Sequence, residues 1–126
     1  MILVDTSVWI DHLRRPIPAL STHLEERNVL CHEMVIGELA LGNLRARDSA
    51  LHDLKALPRA ETLAGKEVLE LIEERRLMGR GIGYVDANLL GAVLTDANAT
   101  LWTADRKLQR LAEELGIAHV PDSDDR

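Results

Sequence analysis

Short, unbroken apolar runs recur along this chain at wide intervals, and each is followed by a stretch with helical spacing. Ile2-Leu3-Val4 is the first, stopped by Asp5-Thr6-Ser7, which reads as a buried strand running into a helix cap. Val29-Leu30-Cys31 and Thr100-Leu101-Trp102 read as further strands, and Ile117 to Val120 as a last one before Pro121. Between them, helical spacing appears from Val8 to Leu13 and, after Pro16 and Pro18, at Ile17, Leu20 and Leu24. It returns from Met34 to Leu41, from Ala50 to Leu57, through Val68, Leu69 and Ile72 to Arg76, and at Val85, Leu89, Ala92 and Val93. Leu108, Leu111, Ala112 and Leu115 carry the last helix, which Gly116 stops. Strands alternating with helices predict an α/β domain with a mainly parallel sheet covered on both faces. Ligands bind such sheets beyond the carboxyl ends of the strands. The two charged helices over 50–57 and 65–76 are expected to form an insertion or outer arm.

The length of 126 residues fits one domain, expected over 1–121, with a frayed polar tail at 122–126. Lys and Arg total 15 against 21 Asp and Glu, a formal net charge of -6, which argues against a polycation that binds phosphates non-specifically. Trp9, Tyr84 and Trp102 are the only aromatic residues, too few for the stacking platforms of a general single-strand binder. Both tryptophans adjoin apolar runs and are expected in the core. One cysteine, Cys31, excludes an internal disulfide and any Cys-x-x-Cys site. No run of about 20 apolar residues is present and no signal peptide is recognisable, so a soluble cytoplasmic protein without membrane association is expected.

The acidic residues need the most explanation. Asp5 follows the first strand, Glu38 lies on the helix after the second, Asp86 opens a later helix and Asp105 follows the third strand. In a parallel sheet all four approach one edge. Glu38 lies three residues after Val35 and three before Leu41, so its carboxylate shares the apolar stripe and is expected to point inward. Buried carboxylates are costly, and several together repel one another unless a cation neutralises them. Mg²⁺ or Mn²⁺ suits an all-oxygen donor set, and the five scattered histidines show no zinc spacing. Each residue taken singly also has a plainer reading. Asp5, Asp86 and Asp105 could be ordinary helix caps, Ser7 a capping hydroxyl, and Glu38 half of a structural ion pair.

Four segments carry a resemblance. They are Met1-Ile2-Leu3-Val4-Asp5-Thr6-Ser7-Val8-Trp9-Ile10, Val35-Ile36-Gly37-Glu38-Leu39, Ile82 to Leu90, and Leu101-Trp102-Thr103-Ala104-Asp105-Arg106-Lys107-Leu108. In this order, over essentially the whole chain, they resemble a PIN domain and, within that superfamily, the VapC-type toxins of toxin–antitoxin pairs. The resemblance implies a three-layer α/β/α fold and a Mg²⁺- or Mn²⁺-dependent ribonuclease held inactive by a cognate antitoxin, with a homodimer as the expected assembly. Asp5, Glu38 and Asp86 match the family's three main acidic positions and Asp105 the fourth.

The expected chemistry is metal-assisted phosphodiester hydrolysis. Asp5 and Asp86 would bind the ion directly and Glu38 directly or through water, while Asp105 would complete a second metal position or orient a water. Ser7 would hold a carboxylate or the substrate phosphate. For RNA, the basic candidates are Arg14 with Arg15, Arg75 and Arg76 with Arg80, and Arg106 with Lys107, of which Arg80 and Lys107 are the leading substrate contacts. Any one such cluster is equally explained as a solvated helix face. Two other function classes compete: an inactive RNA- or protein-binding module on the same fold, and a phosphotransferase with Asp5 as nucleophile. Ser at position 7, and lysines confined to predicted helices, disfavour the second.

Overall fold

A computed structural model describes residues 1–120 of the chain. The chain orders as β1 (Ile2–Val4), α1 (Thr6–Arg14), α2 (Pro18–Glu25), β2 (Val29–Leu30), α3 (Glu33–Leu41), α4 (Arg47–Lys55), α5 (Gly65–Arg75), α6 (Tyr84–Leu94), β3 (Thr100–Trp102) and α7 (Arg106–Glu114). The strands are short and almost wholly buried, as expected of a parallel sheet covered on both faces. Pro18 sits in the first turn of α2, where its missing N–H costs nothing.

The sheet order is β2-β1-β3, all parallel, with Leu3 paired to Leu30 on one side and Leu101 on the other. The chain thus leaves β1 to lay β2 on one flank and then crosses to lay β3 on the opposite flank. Right-handed crossovers in opposite directions put their connecting helices on opposite faces, which yields the three-layer arrangement. The order also reverses between β1 and β3, and the carboxyl end of that pair is the topological switch point where ligands bind.

Two expectations need correction. The last strand reduces to a single parallel bridge between Leu101 and Ala118, held by Leu101 N–H to Ile117 O and His119 N–H to Leu101 O. Beyond it Val120 is exposed and has left the sheet. The helices expected as an outer arm are not one. α4 packs on α3 and places Leu51 and Leu54 in the main core, while α5 packs on α6 with Val68 buried. Their apolar stripes are narrow but meet neighbours already in the domain, which an isolated arm would not offer. Trp9 and Trp102 lie in the core as expected. The tail at 122–126 lies outside the described residues.

Candidate active site

Val4 pairs with Trp102, so Asp5 and Thr103 leave the sheet side by side at the carboxyl ends of β1 and β3. The Asp5 N–H donates to Trp102 O at 2.9 Å and extends the ladder by one step. The Asp5 carboxylate then turns into the site and caps α1. Its Oδ1 accepts from the Thr6 N–H at 2.7 Å, and its Oδ2 accepts from the Ser7 hydroxyl at 2.8 Å and the Thr103 hydroxyl at 2.7 Å. An ionised carboxylate has about four acceptor positions, so one remains on Oδ1. Asp5 is 5% exposed, and neutral donors surround it where a structural role alone would favour a cation.

The hydroxyls are themselves held. Ser7 Oγ accepts from the Ala104 N–H at 3.0 Å, and Thr103 Oγ1 accepts from the Asp105 N–H at 3.0 Å. Ser7 therefore both holds the carboxylate and ties α1 to the loop after β3. Asp105 caps α7 by accepting from the Leu108 N–H at 2.9 Å. Asp86 sits in the first turn of α6 and accepts from the Gly83 N–H at 2.9 Å. Both the capping reading and the convergence reading thus describe the aspartates. Capping orients each carboxylate, and the sheet order brings the helix starts together.

Glu38 departs from expectation, because it is exposed and does not point into the core. Helix α3 buries Val35, Ile36 and Leu39, which leaves Glu38 on the margin of the stripe and Leu41 almost fully in solvent. No arginine pairs with Glu38 among the described residues. Its Oε1 accepts from the Thr6 hydroxyl at 2.6 Å, which turns it toward the Asp5 end of α1.

Asp86 lies within electrostatic reach of the other three carboxylates. The Asp86 carboxyl is pushed above the usual aspartate value, first by burial and then by the negative charges of Asp5, Asp105 and Glu38, against the lowering effect of the Gly83 N–H. Neither of the two salt bridges among the described residues involves this group. An all-oxygen donor set in which the neighbouring charges raise Asp86, with no ion-paired protein cation among the described residues, has the chemistry of a hard divalent ion's site. No three His, Cys, Asp or Glu side chains among the described residues form a ready-made cage. An open arrangement suits Mg²⁺, which retains several waters and is usually held by one or two carboxylates.

The two basic candidates differ. Arg80 donates to Glu114 at 2.8 Å and so anchors the loop after α5 to α7. Lys107 lies along the same loop: a Cβ added at Gly81, where φ is +79°, would stand 2.7 Å from Lys107 Cδ. Sequence reasoning missed Thr6 and Thr103. Thr103 does carry a signal, since it is the first residue past β3 and two before Asp105, but its partner Asp5 is 98 positions away.

Comparison with known proteins bears on the family and the fold. The PIN domain family model matches residues 2–114. The chain is 48% identical over 118 residues to Ribonuclease VapC32 of Mycobacterium tuberculosis, strains CDC 1551 / Oshkosh and H37Rv, covering 94% of this chain and 95% of the relative. It also superposes on the crystal structure of PAE2754 from Pyrobaculum aerophilum with a TM-score of 0.57 at 21% identity, covering 90% of each chain, which supports the fold.

Proposed function

Because this chain belongs to the PIN domain family, we propose that it is a Mg²⁺- or Mn²⁺-dependent ribonuclease, the toxin of a toxin–antitoxin pair, neutralised by its cognate antitoxin. The observation that carries the chemistry is the meeting of Asp5, Glu38, Asp86 and Asp105 at one end of the sheet with no cationic partner among the described residues. The similarity to a ribonuclease over nearly the full length of both chains supports RNA as the substrate and an antitoxin as the partner.

Asp5, through the free position on Oδ1, and Asp86 hold the ion in this reading, with Glu38 beside them and Asp105 orienting water or a second ion. A bound divalent ion lowers the pKa of water and polarises a phosphoryl oxygen, which together permit hydrolysis at neutral pH. Thr6, Ser7 and Thr103 hold the carboxylates in place, so the repulsion among them is set before the ion arrives. The Lys107 side chain lies against Gly81 in the loop before α6, within that loop's reach of substrate in this reading, while Arg80 braces the loop through Glu114.

The test is cleavage of RNA with Mg²⁺, with EDTA and by Asp5→Asn. Activity that requires the ion, is lost in the variant and leaves 5′-phosphate and 3′-hydroxyl ends is expected. Cleavage that survives EDTA and yields 2′,3′-cyclic phosphates refutes the mechanism. A biological effect left intact by Asp5→Asn favours a binding module without catalysis.

A further inference from the structure

Residues 78–83 lead from α5 to the aspartate in the first turn of α6, and no backbone hydrogen bond among the described residues holds 78–82 in place. Two of those positions are glycines in the left-handed region, Gly79 at φ +70° and Gly81 at +79°, so the segment has wide conformational freedom of its own. Its ends are fixed. Leu77 is buried and its N–H donates to Ile72 O at 3.0 Å, Ile82 packs against the core, and the Gly83 N–H donates to Asp86. Between those ends the contacts come from α7. Arg80 Nη2 lies 2.8 Å from Glu114 Oε2, and the end of the Lys107 side chain lies over Gly81, where an added Cβ would meet Cδ at 2.7 Å and Nζ at 2.9 Å. Lys107 and Glu114 are about two helical turns apart and therefore share one face of α7. Glu114 is out of place by local rules, because a carboxylate in the last turn of a helix opposes the dipole and no basic residue of that turn offsets it. Arg80 supplies the missing charge from 34 positions away. An exposed ion pair of this kind adds little to global stability. Its effect falls on the segment it touches, where it selects one conformation among those the glycines permit.

We infer that Lys107 and Glu114 are positioning residues of the acidic site: together they clasp the 79–83 segment to α7, so that Asp86 at the start of α6 is fixed against Asp105 at the start of α7. The helix that Asp105 caps thereby also sets the approach of the segment that leads into Asp86. The clasp uses the stem of Lys107, which leaves its exposed ammonium for substrate. Arg80 acts as the segment's own half of the ion pair and is held away from RNA by Glu114.

The inference rests on the ribonuclease reading, so its test reads the segment as well as the site. Amide hydrogen exchange at Gly83 in the metal-free chain, Mg²⁺ affinity by calorimetry and RNA cleavage at limiting Mg²⁺ are measured for the unaltered chain, Arg80→Glu, Glu114→Arg and the two combined. Each single variant is expected to exchange Gly83 about fivefold faster and to bind Mg²⁺ about three- to tenfold more weakly, with slower cleavage. The combined variant, which reverses the pair, should recover all three. Unchanged exchange and Mg²⁺ affinity in both single variants overturn the proposal, and so does a loss that reversal fails to restore. If Arg80 meets substrate instead, Arg80→Glu weakens RNA binding in EDTA while Glu114→Arg leaves Gly83 exchange and Mg²⁺ affinity unaltered, which also overturns it. Lys107→Met keeps a stem of similar reach and should leave Gly83 exchange unchanged, whereas Lys107→Ala should raise it; equal exchange in the two refutes the part given to the stem. If the unaltered chain binds no Mg²⁺ and cleaves no RNA, yet Gly83 exchange rises in the single variants and recovers on reversal, the clasp stands and the nuclease reading fails.

Discussion

Asp5 takes three hydrogen bonds in the short range of charge-assisted contacts; the Thr6 and Ser7 donors are its chain neighbours, and the third, from Thr103, must be delivered by a distant part of the chain. Thr103 is the most telling of them, because it donates to Asp5 and accepts from the Asp105 N–H, so one hydroxyl sets two of the four carboxylates. Thr103→Val keeps the shape and removes the hydroxyl, so cleavage should fall by about 10- to 100-fold and need more Mg²⁺, as expected when a group orienting a metal ligand is removed. Thr103→Ser should restore both; a Val variant with unaltered metal requirement would refute the role. Asp86 illustrates the opposite sign. Its carboxyl is raised by burial and by three neighbouring charges, so Asp86→Asn should abolish cleavage yet raise the urea midpoint measured without metal. Histidines set a pH limit of their own. His12 Nδ1 accepts from the Ile17 N–H and His32 Nδ1 from the Met34 N–H, and burial holds both below the ordinary 6.5. The unfolded chain takes up protons first as pH falls, so stability should be full above 6.5 and decline below it toward the folded-state values. A urea midpoint unchanged across that window would contradict this.

At the scale of elements, a strand followed directly by a capped helix is the working unit of the site. β1 leads through Asp5 into α1, and β3 leads through Thr103 and Asp105 into α7. Helix α7 is anchored by Leu108, Leu111 and Ala112, and Asp105 caps it through the Leu108 N–H. Leu108→Ala should therefore cost about 3 kcal/mol of stability and also lower cleavage, since cap and anchor share a residue. Reduced stability with full activity at low temperature would separate the two. These units are legible in the sequence because an apolar run ending in Asp-Thr-Ser or Thr-Ala-Asp combines two local signals, strand burial and helix capping. Glu38 is where local reading goes astray. Spacing places it on the apolar stripe, but which flank of a stripe is covered depends on what packs there, and α1 and α4 cover the side of Val35, Ile36 and Leu39. The same limit made α4 and α5 look like an arm, since their few apolar residues reveal nothing of the neighbours that bury them.

For the whole molecule, the acidic balance of -6 and the proposed RNA substrate are reconciled by where the charges lie. Carboxylates gather at the β1–β3 switch point, whereas the exposed Arg14 and Arg45 lie together where the end of α1 meets the loop after α3. A cation at the carboxylates should stabilise the fold by mass action: Mg²⁺ at a hundred times its dissociation constant should add about 2.7 kcal/mol, reversed by EDTA and absent in Asp5→Asn. No Mg²⁺ dependence of unfolding in the unaltered chain would count against a metal site. Among the described residues no helix is long and apolar enough to cross a membrane. By itself the sequence determined the alternation of strand and helix, the strand ends that bear aspartates and the family, because apolar period, capping and motif order are written within a few residues of one another. Only the tertiary structure decided that β3 lies beside β1 opposite β2, that Thr6 and Thr103 hold Glu38 and Asp5, and that Arg80 is spent on Glu114. Those contacts join residues 32 to 98 positions apart, and their geometry exists only once the sheet has chosen its order.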